Sequence, residues 1–129
     1  MKYIIYIIIF LLPVIVNAKE LTVNDFRKKP LVCLKVDKML EQTAKYKAEE
    51  MSRLNYFAHE NPDGEGVWAI YKKFGVSLDN WGEILAVGYS KKDVFKAWMD
   101  SPTHKSVIVD KDYRYYGCYF GEISVCHFR

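Results

Sequence analysis

The chain predicts an α+β domain or a layered sandwich, with helices first and a strand hairpin last. Three observations carry this. Apolar residues recur at three- and four-residue steps over residues 35–57 and again over 66–74. Aromatic and β-forming residues crowd the chain from Tyr113 onward. Strand and helix signals do not alternate throughout, which excludes a doubly wound parallel sheet. With 129 residues, 50% of them apolar, there is material for one core and too little for two.

The elements follow in order. Lys2 precedes an unbroken apolar run over residues 3–16, and Val16-Asn17-Ala18 places aliphatic or small residues three and one positions before Lys19. That pattern predicts a signal peptide over residues 1–18 and a secreted protein, extracellular or periplasmic, in an oxidising compartment. A membrane span needs roughly 20 apolar residues. This run is shorter and Pro13 interrupts it, so no stable transmembrane anchor is expected after cleavage. Residues 19–30 are polar, with Arg27-Lys28-Lys29 before Pro30, and read as an N-terminal arm ahead of a domain over residues 31–129.

Within the domain, Val36, Leu40, Ala44, Lys47/Ala48, Met51 and Leu54 predict a long amphipathic helix. Asn61-Pro62 and Asp63-Gly64 predict turns. A short helix over residues 66–74 buries Val67, Ile70, Tyr71 and Phe74 and stops at Gly75. Trp81-Gly82-Glu83-Ile84-Leu85-Ala86-Val87-Gly88 is a glycine-bounded strand or tight connector. Ser90 with Asp93 caps the next helix, whose stripe is Val94, Ala97 and Trp98. Ser101-Pro102 restarts the chain as a helix cap with proline in the first turn, leading to His104. Gly121-Glu122 suits a two-residue hairpin turn.

Composition narrows the function. Ten Tyr, seven Phe and three Trp exclude a disordered chain. A formal net charge of +3 with dispersed lysines excludes a dedicated nucleic-acid footprint. The aromatic strand could suggest base stacking, but Tyr113, Tyr115 and Tyr119 fall on one face and Tyr116 and Phe120 on the other, as in a strand buried between layers. Trp68, Trp81 and Trp98 read as core or cleft-wall residues.

Only three histidines are present, so imidazole chemistry is confined to His59, His104 and His127. His59 follows the long helix and His104 lies just after a proline break. Glu83 is the one carboxylate of an apolar run. Junctions of this kind are where scaffolds aim functional side chains, and satisfied capping groups are the plainer alternative. His127, in the last strand, has no assigned role. Ser101 is read as a helix cap rather than a nucleophile, since no orienting third group accompanies it.

Taken together, Phe57-Ala58-His59, Asn61-Pro62-Asp63-Gly64, Gly82-Glu83-x-x-Ala86-x-Gly88 and Trp98-Met99-x-Ser101-Pro102-x-His104-Lys105-x-x-Ile108 resemble the bacterial branch of the CAP superfamily. The resemblance covers residues 31–128. It implies a three-layer α-β-α sandwich with a mainly antiparallel central sheet and a cleft lined by His59, Glu83 and His104. Ile84, Thr103, Lys105 and Val107 depart from the family pattern.

Two imidazoles and a carboxylate are ligand types preferred by Zn2+ and related divalent cations, so His59, His104 and Glu83 form the expected metal set. The expected function is a cleft that binds a divalent metal, a small or lipid-like ligand, or an envelope or host protein, without turnover. The alternative is a metal-dependent hydrolase using zinc-bound water, with Glu83 as general base.

An odd count of three cysteines in an oxidising compartment predicts one disulfide and one free thiol. With a two-residue turn at Gly121-Glu122, Cys118 faces Val125 and Cys126 faces Gly117, so a bond between Cys118 and Cys126 needs a bulge or a longer loop. Cys33 is the alternative partner for either, and the connectivity stays open.

Overall fold

The computed structural model describes residues 18–129; the expected signal peptide lies almost wholly outside the described residues. Among them, no helix is long and apolar enough to cross a membrane. The first long element is helix α1 (Lys38–Leu54), shorter at both ends than its periodicity suggested because Lys35 and Val36 are drawn into strand β1 (Lys35–Val36). Asp37 caps α1, its Oδ1 accepting from the Met39 amide at 2.8 Å while its Oδ2 accepts from the Arg129 guanidinium at 2.7 and 2.9 Å. Asn55 ends α1 in the left-handed conformation.

Helix α2 (Val67–Phe74) runs from Gly66 to a left-handed Gly75. Strand β2 (Gly82–Val87) is followed by α3 (Lys91–Asp100), where Ser90 Oγ accepts from the Asp93 amide as expected. Helix α4 (Pro102–Ile108) begins at its proline, and strands β3 (Tyr115–Tyr119) and β4 (Ile123–Phe128) close the chain. The strands form one sheet in the order β1-β3-β4-β2, with β1 parallel to β3 and the other pairs antiparallel. Helices α1 and α2 cover one face and α3 and α4 the other, the expected α-β-α sandwich.

The two faces differ. Beneath α3 and α4, Ile84, Ala86, Tyr116, Cys126 and Phe128 pack with Val94, Phe95, Trp98 and Ile108. Beneath α1, Leu85 and Val125 pack with Ala44, Ala48 and Met51, and Leu40 packs with Val67 and Tyr71. At Gly117 the backbone of Leu40 and Glu41 lies where any side chain would stand, so α1 seats directly on β3.

Several expectations are corrected. The hairpin connection is one residue longer than a two-residue turn, so Cys118 pairs with Cys126, Tyr119 with Val125 and Gly117 with His127. This register joins Cys118 to Cys126, with Cα atoms 4.1 Å apart, and leaves Cys33 as an exposed free thiol. Tyr115 and Tyr119 face α1 while Tyr116 and Phe120 face α3, as their parity indicated. Tyr113 lies ahead of β3, outside its alternation, and joins the Tyr116 face instead. Trp98 is buried, but Trp68 and Trp81 are nearly half exposed.

Residues 19–30, expected as a polar arm, pack onto the domain. Val23, in a 3-10 turn (Val23–Phe26), is fully buried, and Phe26 stacks on Phe95 with centroids 5.4 Å apart. Arg27 lies buried and donates to the carbonyls of Val32, Ile108 and Asp110, tying this segment to the end of α4.

Candidate functional site

Glu83 stands directly opposite His127 across the β2–β4 pair. Residues 115 and 129 exchange both hydrogen bonds between β3 and β4, and the two-residue alternation makes Glu83 and His127 a non-hydrogen-bonded pair on β2 and β4, the kind whose side chains approach most closely. Both side chains point under α1. His127 Nε2 donates to Glu83 Oε2 at 2.7 Å, and His59 Nδ1 donates to Glu83 Oε1 at 2.7 Å. One carboxylate therefore bridges a fully buried imidazole and one whose side chain is 65% exposed.

Helix α1 supplies the roof of this cluster. Thr43 Oγ1 lies 2.8 Å from His127 Nδ1 and 3.0 Å from the Leu40 carbonyl. One turn further, the buried Lys47 ammonium donates to the His59 carbonyl at 2.9 Å and to the Tyr56 hydroxyl at 3.1 Å. Tyr56 in turn donates to Glu50. The loop carrying His59 is thus pinned to α1 at its backbone, and the Asn61 side chain, accepting from the Asp63 and Glu65 amides, shapes the turn that follows.

His104 reaches the same region from the other layer. Its Nδ1 lies 2.8 Å from Ser101 Oγ. Ser101 occupies the cap position of α4 but its side chain makes no cap bond, contrary to expectation, because the hydroxyl is turned to the histidine. No carboxylate orients His104 behind this contact. Phe57, Val87, Tyr89 and Trp98 complete the walls of a cleft of about 610 Å3, with His59 and His104 both on its lining.

The electrostatics divide the two cleft histidines. The hydrogen bond to Glu83 holds His59 above its ordinary value, against the effect of burial. Burial pushes His104 down and the charge on His59 pushes it further, outweighing the opposing pull of the Leu85 carbonyl. Burial alone would push the Glu83 carboxyl up, but hydrogen bonds from His127 and His59, with the positive charge of Lys47, hold it below the usual carboxylate range. Burial lowers Lys47, and the charges of Glu83 and Glu50 oppose that.

Of the three expected site residues, His59 and Glu83 are in direct contact, and His104 faces the cleft from α4 without touching Glu83. Among the described residues, no group of three or more His, Cys, Asp or Glu side chains is arranged to hold a metal ion. The Glu83 side chain is 2% exposed with both oxygens taken by imidazoles, so it orients His59 and has no free oxygen turned to the cleft. His127, Thr43 and Lys47 are the residues that sequence reasoning missed. Their signal was parity: each is a polar residue at a core-facing position, Thr43 and Lys47 one helical turn apart on α1 and His127 two residues from buried Val125.

The chain is similar to bacterial proteins of known sequence or structure. It is 33% identical over 99 residues to the uncharacterized protein YkwD of Bacillus subtilis, covering 76% of this chain and 38% of that one, so it spans well under half of that relative's length. An outer surface protein of Borrelia burgdorferi superimposes with a TM-score of 0.76 at 29% identity, covering 82% of this chain and 84% of that one. An extracellular protein of Bacillus anthracis containing an SCP domain shares the fold with a TM-score of 0.72 at 19% identity, over 76% of this chain and 34% of that one. The model of the cysteine-rich secretory protein family, CAP, matches residues 22–127, the span that contains all but the last residue of the sheet and every residue of the cluster, and the chain belongs to that family.

Proposed function

We propose that this protein is an exported binding module, not an enzyme, whose cleft between α4 and the His59 loop holds a small or lipid-like ligand or a protein partner, with a divalent cation at His59 and His104. The observation that carries the reading is an apolar cleft running into two imidazoles whose Nδ1 atoms are already held, His59 by Glu83 and His104 by Ser101. That donor set fits an open, two-imidazole metal position rather than a site closed by three protein ligands. Glu83 belongs behind His59, where a carboxylate fixes ring orientation and raises ligand basicity. A bound cation would supply positive charge for an anionic group of the ligand. Hydrolysis through a Glu83 base gains no support from a carboxylate with both oxygens engaged. Export rests on the apolar leader and on the extracellular and outer-surface descriptions of the two structural relatives.

Titration calorimetry with zinc tests the metal, and a fluorescent fatty acid tests the apolar cleft. One zinc per chain, lost in both His59→Ala and His104→Ala and weakened about 10–100-fold in Glu83→Gln, is the expected result. Zinc uptake indifferent to both histidines, together with no saturable binding of the fatty acid, would overturn the reading.

A further inference from the structure

The floor of the cleft includes the outer edge of strand β2. Strand β2 ends the order β1-β3-β4-β2 and pairs only with β4. The Gly88 amide donates to the Glu122 carbonyl at 2.9 Å. Alternation along an antiparallel ladder then assigns the backbone bonds to Gly82, Ile84 and Ala86, and turns the N–H and C=O groups of Glu83, Leu85 and Val87 away from β4. The Trp98 indole confirms the direction, donating at 3.0 Å to the Leu85 carbonyl from the open side. Among the described residues, the Leu85 amide and both backbone groups of Val87 have no hydrogen-bond partner. Leu85 and Val87 line the cleft, and the rim beside them is formed by Phe57 and Tyr89, each nearly half exposed.

We propose that the cleft takes an extended peptide, which adds to the outer edge of β2 as a further strand. Its backbone pairs with Leu85 N–H and with Val87 N–H and C=O, and its alternate apolar side chains rest on Phe57 and Tyr89. The pairing stops where Trp98 occupies the Leu85 carbonyl, so the docked segment is short. This rests on the cleft reading above and names its ligand. An acyl chain in the same place would cover three backbone polar groups without pairing them, whereas water or a peptide backbone satisfies them. Pairing at strand spacing belongs to peptides and not to acyl chains.

The test uses an array of end-capped hexapeptides with apolar residues at alternate positions, read by fluorescence anisotropy. Members of the array should saturate the wild-type protein. N-methylation of the amides on one parity should weaken them about tenfold, while methylation on the other parity leaves them unchanged. Amide exchange at Leu85 and Val87 should slow on binding. Val87→Pro removes an outward N–H that no strand of the sheet uses, a change an edge strand tolerates. It should unfold at the wild-type temperature and bind the peptides at least about tenfold more weakly. No saturable peptide, or binding indifferent to N-methylation parity and to Val87→Pro, would overturn the proposal. Zinc or fatty-acid binding retained without any peptide binding sinks the peptide and leaves the cleft reading; loss of all three sinks both.

Discussion

The two faces of one sheet are built from alternate residues of the same strands, yet they are stabilised differently. Toward α3 and α4, Ile84, Ala86, Cys126 and Phe128 pack into an apolar cluster, and the Cys118–Cys126 bond closes that side. Toward α1, Leu85 and Val125 share their strands with Glu83 and His127, whose partners are His59 and Thr43, with the Lys47 charge close by. The apolar face depends on filled volume. The α1 face depends on completed hydrogen bonds, because an ionised carboxylate in a nearly dry site is tolerated only while its partners stay in place.

The largest expected effect breaks this contrast at its centre. Glu83→Ala leaves His127 buried with no acceptor at Nε2 and should cost about 3–5 kcal/mol in urea unfolding. A cost under about 1 kcal/mol would mean that the α1 face behaves like ordinary core. Next comes the double replacement Cys118→Ala with Cys126→Ala. It opens a loop of sequence separation 8, and chain entropy alone predicts a loss of about 2–3 kcal/mol by the same measurement.

Glu83→Gln sharpens the comparison because it keeps the volume and changes only charge and donors. A loss of about 1–3 kcal/mol is expected, against less than about 1.5 kcal/mol for the volume-conserving Ile84→Leu on the opposite face.

The same variant has a titration signature. In wild type the His59 ring should titrate above 6.5 by NMR, and in Glu83→Gln it should fall back toward that value. The sign of the stability effect follows. A raised His59 contributes stability that is full below about pH 6.5 and fades as pH rises through its folded value. A lowered Glu83 contributes stability that is full above its ordinary 4.5 and fades as pH falls through its folded value. The pair is complete between the depressed and the raised values. The smallest effect belongs to Cys33, where Cys33→Ser should change stability by less than about 0.5 kcal/mol and the wild-type thiol should react with alkylating reagent in the folded protein.

The positions of three candidate side chains were legible before folding. His59, Glu83 and His104 stand at chain junctions that local signals mark, a helix end, a glycine-bounded run and a proline restart. Their spacing against Gly82, Gly88, Ser101 and Pro102 carried the family resemblance. His127 was not legible, because its role exists only through a partner 44 positions away. Thr43 and Lys47 were hidden for a related reason. A helix pattern shows which side is inward, and it does not show whether an inward polar side chain will find a mate. Ser101 was misread because the same hydroxyl can cap its own helix or hold a histidine three residues on, and only the rotamer decides.

By itself, the sequence determined the types and order of the elements, the cap at Ser90 and the stop at Gly75, and the membership of the family, since helices, caps and turns depend on residues within about four positions of one another. The tertiary structure decided the register. A one-residue difference in the β3–β4 connection set Cys118 against Cys126, where the shorter turn would have set it against Val125. The β2–β4 register set Glu83 against His127, and the strand order left the outer edge of β2 open. Side chains in a strand change face at every residue, so each of these outcomes turns on a single step that no local pattern specifies.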